Sequence, residues 1–182
     1  MRNLDRKTLE AALTELGRHA LTEGIDLEIS IYGGSAMLLA YDSRNATKDV
    51  DAVLNPRDQG TALAKKVAQS LSLHDDWLND DVVQFLGPTP INGRRRLPLG
   101  IPGLTIYVAT ANYLLAMKAL SCRDPLPGYR GDHEDLIFLF RKIGIKSVGE
   151  IQDRIDQFFP DEVIPKKNRA TLTELIEEAN HA

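Results

Sequence analysis

The apolar residues Leu4, Leu9, Leu13, Leu16 and Ala20 recur near helical spacing across residues 4–21, and Gly24 follows as a stop. Leu27-Glu28-Ile29-Ser30-Ile31 then alternates apolar and polar, the period of a half-buried strand. It runs directly into Tyr32-Gly33-Gly34-Ser35 and a short apolar helix over Ala36–Tyr41. Valine-rich Lys48–Leu54 predicts a second strand, and Pro56, suited to a first helical turn, opens a helix to about Leu71. Asp75–Leu86 reads as another short helical piece. Gly87–Gly103 is dense in proline and glycine, the mark of a long loop or an irregular hairpin. Leu104–Val108 is a third strand. Beyond it the pattern is helical throughout, over Asn112–Cys122, Asp132–Ile143, Ser147–Phe159 and Thr171–Ala179.

This order predicts an α/β (α+β) fold: a small mixed sheet flanked by helices, with an all-helical C-terminal part. Residues 1–110 form the α/β core, and residues 111–182 the helical part, packed on it as one compact unit. Length agrees, since 182 residues are enough for about one domain with a substantial core. The single cysteine, Cys122, excludes an internal disulfide framework and any multi-cysteine zinc site. A net charge of −4 argues against a surface coated in basic residues, although Arg94-Arg95-Arg96 makes one dense basic run. That run reads either as a solvated loop or as a contact for a polynucleotide. No apolar run reaches membrane-spanning length, and the charged N-terminus does not resemble a signal peptide, so a cytoplasmic protein is expected.

The candidate chemistry lies where the first strand turns. A strand ending in Gly33-Gly34-Ser35 and entering a helix turns backbone N–H groups toward an approaching anion, with no β-carbon in the way at the glycines. The Ser35 hydroxyl adds a donor. Fourteen residues after Ser35, Asp49 and Asp51 stand at i and i+2 on the second predicted strand, so both side chains leave one face. Two carboxylates on one face repel unless a cation lies between them, and Mg²⁺ is typically held by one or two carboxylates plus substrate phosphates. Separately, each half is an ordinary turn or a solvated strand face. Together they place a phosphate cradle beside a metal-binding pair.

The run Gly33-Gly34-Ser35-Ala36-Met37, Arg44 and Ala46-Thr47-Lys48-Asp49-Val50-Asp51 resembles the nucleotidyltransferase superfamily, with its polymerase-β-like fold. With Trp77-Leu78-Asn79-Asp80 and a late Lys…Arg…Asp-x-x-Asp pattern, it is similar to small bacterial families related to AbiEii-type toxins. The resemblance covers residues 25–145. It implies an NTP held by Gly33, Gly34, Ser35 and Lys118, and Mg²⁺ (or Mn²⁺) held by Asp49 and Asp51; Arg44, just ahead of the acidic strand, either reaches the nucleotide phosphates or pairs with those acids. A nucleotide would then pass to a hydroxyl of an RNA, a protein or a small molecule. It also implies a cognate antitoxin.

One departure matters. Many members of the superfamily carry a third carboxylate on a later strand, and Leu104–Val108 has none. By resemblance, Asp132 or Asp135 from the helical part completes the acidic site, although Asp132 also reads as a helix N-cap after Gly131. Lys118 among apolar neighbours also reads as a snorkelling side chain. Trp77 is a packing anchor and Cys122 a small core residue. The missing acid opens a second reading, in which a catalytically defective protein of this fold binds a nucleotide or a partner.

Overall fold

The computed structural model describes residues 3–129 and 131–181. The elements are β1 (Leu4–Asp5), α1 (Arg6–Glu23), β2 (Leu27–Ile31), α2 (Gly33–Tyr41), β3 (Ala46–Thr47), β4 (Val50–Asn55) and α3 (Arg57–Leu71). They continue with β5 (Leu78–Asn79), two 3₁₀ turns (Asp81–Phe85 and Pro90–Gly93), β6 (Arg94–Arg96) and β7 (Leu104–Ala109). Four helices close the chain: α4 (Ala111–Ser121), α5 (His133–Ile143), α6 (Val148–Phe158) and α7 (Lys166–Asn180). This is the mixed α/β class that the patterning predicts. Among the described residues no helix is long and apolar enough to cross a membrane.

The chain divides into two units. The first comprises the residues up to Gln84 together with Arg94–Ala109, and the second comprises Phe85–Gly93 with the residues from Thr110 onward. The first is built on a five-stranded sheet of order β5-β4-β2-β7-β6. Within it β2 runs antiparallel to β4 and parallel to β7, β5 runs parallel to β4, and β6 antiparallel to β7. A separate ribbon pairs β1 with β3.

Alternation divides the sheet into two chemically distinct faces. Leu27, Ile29, Ile31, Val50, Ala52, Leu54, Leu104, Ile106 and Val108 are buried on one. Helices α1 and α3 cover that face, approaching closely through glycines: Gly17 lies against Leu104, and Gly60 against Leu27 and Leu54. The opposite face carries Glu28, Ser30, Asp51, Val53, Asn55, Thr105, Tyr107, Arg94 and Arg96. Helix α1 is capped at its N-terminus by Asp5, which accepts from the Thr8 N–H, and stopped by Gly24 at φ 66°.

The second unit packs its four helices around Leu114, Leu115, Leu136, Leu139, Phe140, Ile151, Ile155 and Leu172, all buried. Tyr113 is its largest internal anchor. Its ring packs against Phe158 at 5.1 Å and Phe159 at 5.4 Å. Residues 85–93 join this unit as a strap. The Gly87 N–H donates to the Tyr113 hydroxyl (3.0 Å), and the Thr110 N–H donates to the Gly93 carbonyl (2.8 Å). A β-carbon at Gly93 would overlap the Tyr113 ring, so only glycine lets the strap lie that close.

Two elements differ from their sequence expectations, and a third resolves between its alternatives. The segment 75–86 is helical only over Asp81–Phe85, as a 3₁₀ turn: the Val50 N–H donates to the Trp77 carbonyl (2.7 Å), and Leu78–Asn79 is drawn out as an edge strand beside β4. Of the two readings of residues 87–103, the irregular hairpin is the one formed, with β6 antiparallel to β7. Helix α2 starts at Gly33 rather than Ala36, so the glycines form its first turn.

Candidate functional site

The Gly-Gly turn and the acidic residues meet within the first unit. Gly33 sits at φ 57°, a conformation that favours glycine, and directly beneath Asp51: a β-carbon on Gly33 would stand 2.6 Å from Asp51 Oδ2. At Gly34 a β-carbon would stand 2.7 Å from Arg44 Nη1 and 3.0 Å from Thr47 Oγ1. The two glycines therefore make room for a carboxylate and a guanidinium that pass over the turn. Arg44 is placed there by the end of α2, where Asp42 takes a left-handed conformation (φ 53°).

The N-terminal residue of this turn, Tyr32, gives α2 no side-chain cap, although its carbonyl accepts the Ala36 N–H at 3.2 Å. The first N–H groups of a helix lack intrahelical partners, so those of Gly33, Gly34 and Ser35 are the donors this turn offers. Ser35 contributes differently from the expectation. It is buried, and its hydroxyl donates to the Tyr32 carbonyl at 3.0 Å within the turn.

Asp51 lies on β4, and the Tyr32 N–H donates to its carbonyl (2.9 Å), which ties the turn to the strand. Asp49 does not lie on the strand. β4 begins at Val50, and Asp49 occupies the preceding bend, its carbonyl accepting from Thr47 Oγ1 at 3.1 Å. The shared strand face expected of the pair is thus replaced by a bend followed by a strand. Burial raises the Asp49 carboxyl pKa, and the charge of Asp81 adds to the rise against the opposing effect of Lys48.

Asp81 was not among the residues singled out from sequence. Parallel pairing of β5 with β4 sets Asn79 opposite Asp51 and delivers Asp81 to the vicinity of Asp49. The Asn79 side chain accepts the Asp81 N–H (3.1 Å), and Arg57 Nε donates to Asp80 at 2.6 Å, pinning this corner to the start of α3. Its only sequence signal is the Trp77-Leu78-Asn79-Asp80 stretch. β7 carries no acid, as its sequence requires. Among the described residues no three of His, Cys, Asp or Glu converge closely enough to hold a metal ion by themselves. Asp49 and Asp51 supply carboxylates, the donor type that Mg²⁺ takes one or two at a time beside substrate phosphates and water.

The three remaining predicted residues belong to the second unit, where they engage one another. Lys118 Nζ lies 2.8 Å from Asp132 Oδ1 and 2.8 Å from Asp135 Oδ2, and all three side chains are buried. Asp132 also accepts from Ser121 Oγ (2.9 Å), the Arg123 N–H (3.0 Å) and Arg123 Nε (2.9 Å). Burial pushes its carboxyl upward, but the Arg123 and Lys118 interactions outweigh it and hold Asp132 well below the usual carboxylate range. Asp132 occupies the N-cap position of α5 without capping it, because its side chain is drawn to these cations. The expectation of Lys118 on phosphate thus gives way to Lys118 between two aspartates. Cys122, at the C-cap of α4, is buried and its thiol pushed up to about 11 by burial, the state of an unreactive core thiol.

By comparison with solved structures, the fold of the chain is nucleotidyltransferase-like. The crystal structure of an antigenic nucleotidyltransferase-like protein from Paracoccidioides brasiliensis aligns over 97% of this chain and 95% of its own, with a TM-score of 0.50 and 15% sequence identity. No protein-family model matches the chain, and no curated protein does.

Proposed function

We propose that the protein is a Mg²⁺-dependent nucleotidyltransferase that moves a nucleotide from an NTP to an acceptor hydroxyl. The observation that carries this reading is the meeting of Asp51 and Arg44 over Gly33 and Gly34. One turn thereby offers backbone donors, a guanidinium and a carboxylate within a single nucleotide's reach. The N–H groups of residues 33–35 bind the triphosphate, and Arg44 supplies the charge that bare amides lack. Asp49 and Asp51 hold the metal, which when bound offsets charge on the α-phosphate and the leaving pyrophosphate. The acceptor oxygen bonds to the α-phosphorus as the bond to the bridging oxygen breaks. Pyrophosphate departs, and the hydroxyl proton is released to solvent.

The narrower kinship with AbiEii-type toxins, and with it a cognate antitoxin, rests on the sequence motifs. The absence of an acid on β7 favours a second reading, a nucleotide-binding module without transfer. Incubating the protein and Mg²⁺ with cell extract and each α-³²P-labelled NTP in turn separates the two. Label on an acceptor, lost in Asp51→Ala, supports transfer. Tight Mg²⁺-NTP binding without label supports the module. Label transfer unchanged by Asp51→Ala would refute the site assignment.

A further inference from the structure

On the polar face of the sheet one side chain is held in a way that packing does not explain. Arg94, on edge strand β6, has a side chain only 15% exposed, and Nη1 donates to Glu28 Oε1 (2.6 Å) and to Ser30 Oγ. The guanidinium carbon lies 4.1 Å above the centre of the Tyr107 ring. Two β2 side chains and a β7 ring therefore fix the orientation of the guanidinium plane. Its other edge is different. Nε is buried without a hydrogen-bond partner, and among the described residues Nη2 makes no hydrogen bond either. An orphaned buried donor has lost its water and gained no partner, which disfavours it. Arg94 leaves one on the edge that presents two parallel N–H groups.

We propose that this edge recognises the base of the nucleotide, and selects a base that presents two adjacent acceptors. The proposal rests on the nucleotidyltransferase reading above and adds the identity of the base. Glu28 already neutralises Arg94, so the edge suits a neutral acceptor pair better than a second anion placed beside that carboxylate. Guanine offers such a pair in O6 and N7, and cytosine in O2 and N3. Adenine alternates acceptors with its amino group, and in uracil an N–H separates the two carbonyls.

The register supports the reach. Ala52, Ile31, Val108 and Arg95 form one cross-sheet line, which puts Asp51 and Arg94 at the two ends of the next line, at the end of β2 that enters the Gly33 turn. Strand spacing makes their backbones about 14 Å apart, the scale of a nucleotide extended from α-phosphate to base. Fixing Arg94 through Glu28, Ser30 and Tyr107 prepares its free edge before the nucleotide arrives.

Calorimetric titration of the full chain with GTP, CTP, ATP and UTP in Mg²⁺ tests this. GTP or CTP should bind more tightly than both ATP and UTP, by about five- to 150-fold for one bidentate pair. Arg94→Lys keeps a cation for Glu28 and removes the two-pronged edge. It should flatten the ranking while leaving affinity for inorganic tripolyphosphate and the melting temperature close to wild type. Equal binding of all four nucleotides, or a preference for ATP or UTP, overturns the base assignment and leaves the phosphate site standing. Absence of binding by all four overturns both readings. If Arg94→Lys does not fold, the wild-type ranking alone decides.

Discussion

Replacing Lys118 with methionine tests the reading of the second unit most severely. The ammonium lies 2.8 Å from each of two buried carboxylates, and Asp132 retains Ser121 and Arg123 when it is gone. Asp135 loses a cation at a position that water hardly reaches. Removing one partner from a buried charged group typically costs about 3–5 kcal/mol, because the other charge stays buried. For a chain of this length that corresponds to a fall in Tm of about 6–20 °C. Circular-dichroism melts of wild type and Lys118→Met at pH 7 supply the measurement. A fall of under about 2 °C refutes the structural role. Loss of nucleotide affinity in a variant of unchanged Tm would return Lys118 to phosphate binding.

Asp49→Asn should raise Tm at pH 7 in metal-free buffer, because it removes a carboxylate that burial and Asp81 disfavour, and should weaken Mg²⁺ binding measured by calorimetry. Gly33→Ala should destabilise by about 1–2 kcal/mol from its left-handed backbone alone, seen in urea melts, and should displace Asp51 and lower Mg²⁺ affinity. Asp132, held below the usual carboxylate range, contributes stability that is present above the ordinary carboxylate pKa and fades as pH falls below it. Acid melts of Asp132→Asn should therefore show a lower plateau at neutral pH and a shallower fall below about pH 4.

The parts of the fold written as local periodicity were legible in the sequence. Alternation in Leu27–Ile31 and Leu104–Val108, and the Gly-Gly-Ser turn between strand and helix, located the central strands and the glycine turn. Strands of two or three residues were not legible, because their conformation comes from a neighbour's backbone rather than from their own pattern. β5 exists through pairing with β4, and β6 through pairing with β7. The same cause hid Asp81, which reaches Asp49 only when β5 adds to the sheet edge. Asp49 itself departed from its expected strand because Thr47 holds its carbonyl in a bend. Lys118, Asp132 and Asp135 carried a recognisable spacing, but spacing does not report which charges face one another. Fourteen residues separate Lys118 from Asp132, and the intervening turn brings them together. Arg94 was visible only as part of a basic run, because its setting depends on Glu28 and Ser30, more than sixty residues earlier.

The strap of residues 85–93 makes the helical unit discontinuous along the chain, and this governs how the protein can be divided and assembled. A cut at residue 110 does not separate two independent pieces. The N-terminal fragment would carry Gly87 and Gly93 without the Tyr113 ring against which they lie, and the C-terminal fragment would carry that ring without its cover. During synthesis the strap leaves the ribosome well before Tyr113 and Phe158, so the second unit cannot close until nearly the whole chain has been made. Expression of residues 110–182 alone should therefore yield a loosened helical bundle, and supplying residues 85–93 as a separate peptide should tighten it.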